Sequence, residues 1–142
     1  GATPTEAQSA LMPSAPSVAS AACAREQLQA GRRELRQRYS ADGNALHMLR
    51  QHRLLVDRIL KSLWTQADLP GSLALAGVGG YGRGELFPYS DVDLLVLLPN
   101  EPDAGLKGKL EASYAFGLYL FNNQLILTMR WINLNVAKTN HF

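Results

Sequence analysis

The chain has 142 residues, 46% of them hydrophobic, which allows one modest core and so a single domain or a piece of one. Its formal net charge of +2 lies too close to neutral to hold nucleic acid by field alone. Cys23 is the sole cysteine, which excludes an intrachain disulfide and a cysteine metal cluster.

Gly1–Ala22 is rich in Ala, Ser, Thr and Pro and is expected to be a flexible leader. It shows no basic region followed by an apolar run, so no signal peptide is read and a reducing, cytoplasmic setting is expected. Residues 23–70 are expected to form N-terminal helices. Ala24–Tyr39 has strong helix formers, with Gly31 as an energetic interruption. Asp42-Gly43 marks a turn, and Asn44 is placed to cap a second helix over Ala45–Trp64. Leu46, Leu49, Val56, Ile59, Leu60 and Leu63 fall near helical spacing and should form its buried stripe. Residues 25–61 carry nine arginines and lysines against four acids, a local excess of +5 that reads as a solvated helical face. His47, His52 and His141 have no ligand spacing, and the first two read as surface or half-buried helix residues.

Residues 71–111 are expected to hold the core of the site, and 112–142 a divergent tail of unknown role. Leu73–Val78 reads as a short buried strand. Asp91–Leu98 reads as a second strand closed by Pro99, and its uniformly apolar end suggests burial on both faces. Leu106–Leu120 has helical character. The apolar stretch Tyr114–Leu134 is broken by Asn122, Asn123 and Gln124, a poor pattern for a membrane span.

The chemistry is concentrated in Gly79–Leu98, GGYGRGELFPYSDVDLLVLL. Gly77, Gly79 and Gly82 match a dinucleotide fingerprint by letter. That fingerprint needs a crossover helix, and the gap before the strand near Ser90 is too short for one. No GxxxxGK[ST] sequence is present, so a P-loop is excluded. Gly79 and Gly80 instead suit close approach of phosphate oxygens to backbone N–H groups, with a short helix starting near Gly80–Arg83. Arg83 offers a planar set of donors to a triphosphate. Asp91 and Asp93, two apart on a strand, project on one face and suit Mg²⁺ held together with substrate phosphates.

The segment GVGGYGRGELFPYSDVDLLVLL, with GRRELRQRY (Gly31–Tyr39) and RLLVDRILKSLW (Arg53–Trp64), resembles the N-terminal catalytic domain of the bacterial protein-PII uridylyltransferase family. The resemblance covers about Leu28–Leu98. It implies an α/β (α+β) nucleotidyltransferase-type fold with a small mixed sheet and N-terminal helices. It implies transfer of UMP from UTP to a tyrosine of the PII signalling protein, with Mg²⁺. Carried over by position, Gly79 and Gly80 would bind phosphate, Ser90 would support the nucleotide or orient the acidic strand, and Asp91 and Asp93 would be the catalytic metal ligands. The adenylyltransferase acting on glutamine synthetase has a related signature and is the alternative, as is a non-catalytic fragment that binds PII or nucleotide. The superfamily's third carboxylate on a later strand has no counterpart in residues 112–142, which hold no Asp or Glu. Only Glu85 or Asp103 is left to supply it. The departure of the tail from the family's continuation suggests truncation, with a foreign or frame-shifted end.

Overall fold

A computed structural model describes residues 18–132 and 137–141. Helices α1 (Val18–Asp42) and α2 (Ala45–Gln66) open the fold, with only Gly43 and Asn44 between them. The turn has two local causes. Gly43 takes the left-handed conformation that ends α1, φ +64°, and its N–H donates to the Tyr39 carbonyl at 2.7 Å. Asn44 then caps α2 as expected, its side-chain oxygen accepting the His47 N–H at 3.0 Å. The start of α1 at Val18 lies inside the leader expected over 1–22. Residues 1–17 are outside the described residues.

Gly31 has a second role besides weakening a helix. A Cβ there would lie 2.6 Å from Leu55 Cδ2, so its absence lets α1 and α2 approach. Leu55 is buried with Val56, Ile59 and Leu60, whereas Leu46, expected in the same stripe, is 58% exposed. The stripe therefore begins a turn later than its spacing suggests.

Four strands follow: β1 (Ala74–Gly77), β2 (Val92–Leu98), β3 (Leu125–Ile132) and β4 (Ala137–His141). A one-turn helix α3 (Gly79–Gly82) lies between β1 and β2, and α4 (Ala104–Leu120) lies between β2 and β3. The sheet order is β1-β2-β3-β4, antiparallel at both outer pairs and parallel at the central one. A parallel pair needs a long crossover, and α4 supplies it. This is the small mixed sheet with N-terminal helices that the sequence implies.

Burial alternates along β2, which corrects the expectation of a strand buried on both faces. Val92, Leu94, Val96 and Leu98 face the core, directly opposite buried Leu125, Leu127, Met129 and Trp131 of β3. Leu28 of α1, the α2 stripe, and Leu110 and Leu120 of α4 pack on the same core. The other face is open, with Leu97 40% and Ile126 42% exposed. Strand β1 is likewise no buried strand; it lies at the sheet edge with its residues exposed or half-buried.

The boundary expected at residue 111 falls inside α4. The segment expected to be a divergent tail supplies the end of that helix, buried Phe121, and β3 at the centre of the sheet. Residues 133–136 and 142 are outside the described residues. Among the described residues no helix is long and apolar enough to cross a membrane.

Because Phe121 is fully buried in the shared core, Phe121→Ala should lower the unfolding free energy by about 3–5 kcal/mol in a urea titration. A change near zero would show that residues after 111 are not part of this core.

Candidate active site

Strand β1 leaves the sheet at Gly77, and the chain turns at once into α3. Val78 holds the turn to β2, donating its N–H to the Asp93 carbonyl at 3.0 Å. Gly79 is left-handed, φ +60°, and a Cβ on it would stand 2.8 Å from Asp93 Oδ2. Glycine is thus required twice at this position, by conformation and by the carboxylate beside it. Gly80 has more room, with nothing nearer to an added Cβ than 3.5 Å. Gly82 has none: an added Cβ would meet the Gly77 carbonyl at 2.6 Å.

The first intrahelical bond of α3 is Gly82 N–H to Val78 O, 3.0 Å. The N–H groups of Gly79, Gly80 and Tyr81 therefore have no carbonyl of their own helix to bond. They lie on the turn beside Asp93. Four residues make a weak dipole, so any anion affinity here comes from these N–H groups rather than a macrodipole.

Asp93 is half-buried within β2, on the open face. Asp91 is exposed and lies one residue before the strand, which starts at Val92 rather than at Asp91 as expected. Ser90 is half-buried and its N–H donates to Phe87 O at 3.0 Å. Arg83 ends α3 and pairs with Glu85 at 3.5 Å, both largely exposed. An exposed pair of this kind contributes about 0–1 kcal/mol, so Arg83 is easily released to another anion.

The position opposite Asp93 on β3 is Ile126, and Thr128 is the next residue on that face. Neither is an acid. Asp103 is engaged elsewhere, capping α4 by accepting the Leu106 N–H at 2.7 Å. Among the described residues no three of His, Cys, Asp and Glu come together to hold a metal. Two carboxylates remain, a set that fits a magnesium ion arriving with its nucleotide, since that ion ordinarily takes one or two carboxylates plus phosphates and water.

The segment from α3 to Asp91 is held by residues that the motif reading passed over. Tyr81 donates a hydrogen bond from its hydroxyl to Asp57 of α2. Burial first, and then that bond and the Asp57 charge, push the Tyr81 pKa well above its ordinary range, so it stays a neutral donor. His52, read as a surface or half-buried residue, is 0% exposed. Its Nδ1 lies 2.9 Å from the Leu86 carbonyl, and Arg32 Nε donates to its Nε2 at 3.0 Å. A carbonyl accepts and a guanidinium donates, so the ring is neutral with its proton on Nδ1. The signal was present in the sequence: His52 falls on the stripe of Leu49, Val56 and Ile59. Beyond Leu86, Arg36 donates to the Tyr89 hydroxyl at 3.2 Å. Gln124 holds the segment on the other side, its side-chain amide donating to Tyr89 O at 2.8 Å and its backbone carbonyl accepting Val92 N–H at 2.9 Å. A cavity of about 600 Å³ lies beneath the turn between α2 and β1, and its lining includes Asp57 but neither Asp91 nor Asp93.

Residues 56–134, more than half of the chain, match the family described as "Nucleotidyltransferase domain". Three relatives carry the name "Bifunctional uridylyltransferase/uridylyl-removing enzyme". That of Nitrosospira multiformis is 52% identical over 80 residues, 56% of this chain and 9% of the relative. That of Cupriavidus metallidurans is 48% identical over 87 residues, 61% of this chain and 10% of the relative. That of Cupriavidus pinatubonensis is 42% identical over 108 residues, 76% and 12% respectively. The chain thus spans about a tenth of the length of the curated relatives it matches. No solved structure matches it.

Gly79→Ala should cost about 1–2 kcal/mol of stability from the left-handed conformation alone, and should also displace the Asp93 carboxylate. Gly80→Ala should stay within about 0.5 kcal/mol. Urea titrations of the two variants check the contrast, and equal costs would refute it. His52 gives a pH test. Burial lowers its pKa from 6.5, outweighing the Leu86 hydrogen bond, and the Arg32 charge lowers it further. The unfolded chain therefore takes up a proton that the fold resists. The contribution is whole above pH 6.5 and is lost as pH falls below that value toward the depressed folded pKa. The melting temperature should drop on acidification more in the unaltered chain than in His52→Gln, and parallel pH profiles would contradict this.

Proposed function

Because the chain belongs to the nucleotidyltransferase domain family, we propose that it binds UTP with Mg²⁺ for transfer of UMP to a tyrosine hydroxyl of the PII signalling protein, in the cytoplasm. The observation that carries this reading is the glycine turn built directly against Asp93, which supports phosphate binding by its N–H groups beside a carboxylate. The names of the relatives support uridylyl transfer in particular.

In the proposed reaction the tyrosine oxygen forms a bond to the α-phosphorus, and the bond from that phosphorus to pyrophosphate breaks. The N–H groups of Gly79 and Gly80 hold phosphate oxygens at the turn. Arg83 exchanges its loose contact with Glu85 for the triphosphate. Ser90 supports the segment that presents Asp91. Asp91 and Asp93 would hold magnesium, which supplies a lowered pKa for the attacking hydroxyl and offsets charge on the leaving pyrophosphate. With two carboxylates rather than three, binding should outlast turnover, and we expect weak nucleotide binding with little transfer.

The test is label transfer from [α-³²P]UTP to purified PII, run beside equilibrium binding of UTP and ATP with magnesium. Changing a residue that merely supports a metal ligand commonly costs 10–100-fold, so Asp93→Asn, a change in the ligand itself, should weaken magnesium-dependent UTP binding at least about 10-fold. Binding that Asp93→Asn leaves intact would reject the site. A clear preference for ATP would reject uridylylation in favour of adenylyl transfer.

A further inference from the structure

A second concave surface lies away from the glycine turn. Arg25, Arg32, Arg33 and Arg36, all on α1, line a cavity of about 310 Å³ whose far wall includes Tyr89 and Gln124. Leu28 and Leu120 also line it, and both belong to the core beneath the helices, so the cavity opens on the helix-covered side of the sheet. Asp93 is on the opposite, open face.

Among the described residues nothing compensates the charge in this cavity. No carboxylate of those residues lines it. The ion pairs among the described residues, Arg38–Glu34 and Arg83–Glu85, use none of the four arginines. Neutral groups orient three of them instead: Arg25 sits 4.7 Å over the Tyr119 ring, Arg32 donates to His52, and Arg36 donates to Tyr89. Burial lowers the Arg32 pKa, with Tyr89 opposing and Arg36 reinforcing. Like charges gathered in a hollow repel unless an anion joins them.

We propose that this cavity is an anion site for a di- or triphosphate group, separate from the surface of Asp91 and Asp93. Several planar guanidinium forks suit the many oxygens of such a group better than a single carboxylate would. The volume is that of a small-molecule site rather than a flat docking patch. Tyr89, 72% exposed at the rim, offers a flat face to a ring carried on the phosphates. Tyr89 and Gln124 also hold the segment entering β2, so an occupied cavity would stiffen the approach to Asp91.

Tripolyphosphate titrated calorimetrically into the full chain, in EDTA and at physiological ionic strength, tests the site without magnesium at the aspartates. Saturable binding is expected, weakened at least about 10-fold in Arg33→Gln/Arg36→Gln. It should be unchanged in Asp91→Asn/Asp93→Asn and in Arg50→Gln/Arg58→Gln, which alters charge outside the cavity. Arg33 and Arg36 are exposed, and circular dichroism checks that their variant folds. A parallel titration with UTP distinguishes the source: selective loss of UTP affinity in Tyr89→Ala marks a nucleotide, and equal affinities mark a bare polyphosphate. No saturable binding, or binding indifferent to Arg33 and Arg36, overturns the proposal. So does binding lost with the aspartates.

Discussion

The approach of the Gly79 backbone to the Asp93 carboxylate is the constraint on which the rest of the site depends. A side chain at Gly79 would occupy the space of Oδ2, and its left-handed backbone would be strained with any β-carbon. The Val78 N–H to Asp93 carbonyl bond fixes the same two strands at the same place. In the proposed reaction, N–H groups that bind phosphate and a carboxylate that binds metal must lie within one ligand's reach, and a single turn would meet both demands. The immediate passage from β1 into a one-turn helix follows from this closeness, as does the clash that any side chain at Gly82 would meet.

A turn so short cannot hold itself. It is braced from below by helices that lie outside the glycine and aspartate segment Gly79–Leu98. Tyr81 bonds Asp57 on α2, and Leu86 bonds His52 on the same helix, which Arg32 of α1 holds in its neutral form. These are buried or half-buried polar contacts, where losing one partner leaves the other unsatisfied at a cost of about 1–3 kcal/mol. The N-terminal helices are therefore part of the scaffold of the candidate site, and their stability sets the rigidity of the segment that ends at Asp91.

Much of this was legible in the sequence because it follows from local rules. Asn44 caps its helix by its own side chain, and the glycine letters predict a tight turn whatever surrounds them. The misreadings share one cause, which is that burial depends on partners distant in the chain. Leu94–Leu98 is apolar throughout, yet only alternate residues find helices to pack on, and Leu97 is left open. Leu46 keeps the helical period but lies where none of the described residues covers α2. His52 was passed over because its partners, Leu86 and Arg32, are 34 and 20 residues away. The arginines of α1 read as a solvated face for the same reason, since the wall opposite them comes from Tyr89 and Gln124.

The register of the central strands gives the two-carboxylate set its consequence. Parallel pairing places Ile126 opposite Asp93 and carries Thr128 and Arg130 along the same open face. That face of β3 is where a further acid would share a cation with Asp93, and it offers an aliphatic side chain, a hydroxyl and a positive charge instead. A nucleotide brings phosphate oxygens of its own and makes up part of a cation's coordination, whereas an attacking hydroxyl brings none until it has lost its proton. In the proposed reaction the missing acid would thus fall more heavily on the attack than on nucleotide capture. If the proposed reaction holds, the glycine turn and Asp93 would serve recognition, and the β3 residues at 126 and 128 would govern how fast the transfer proceeds.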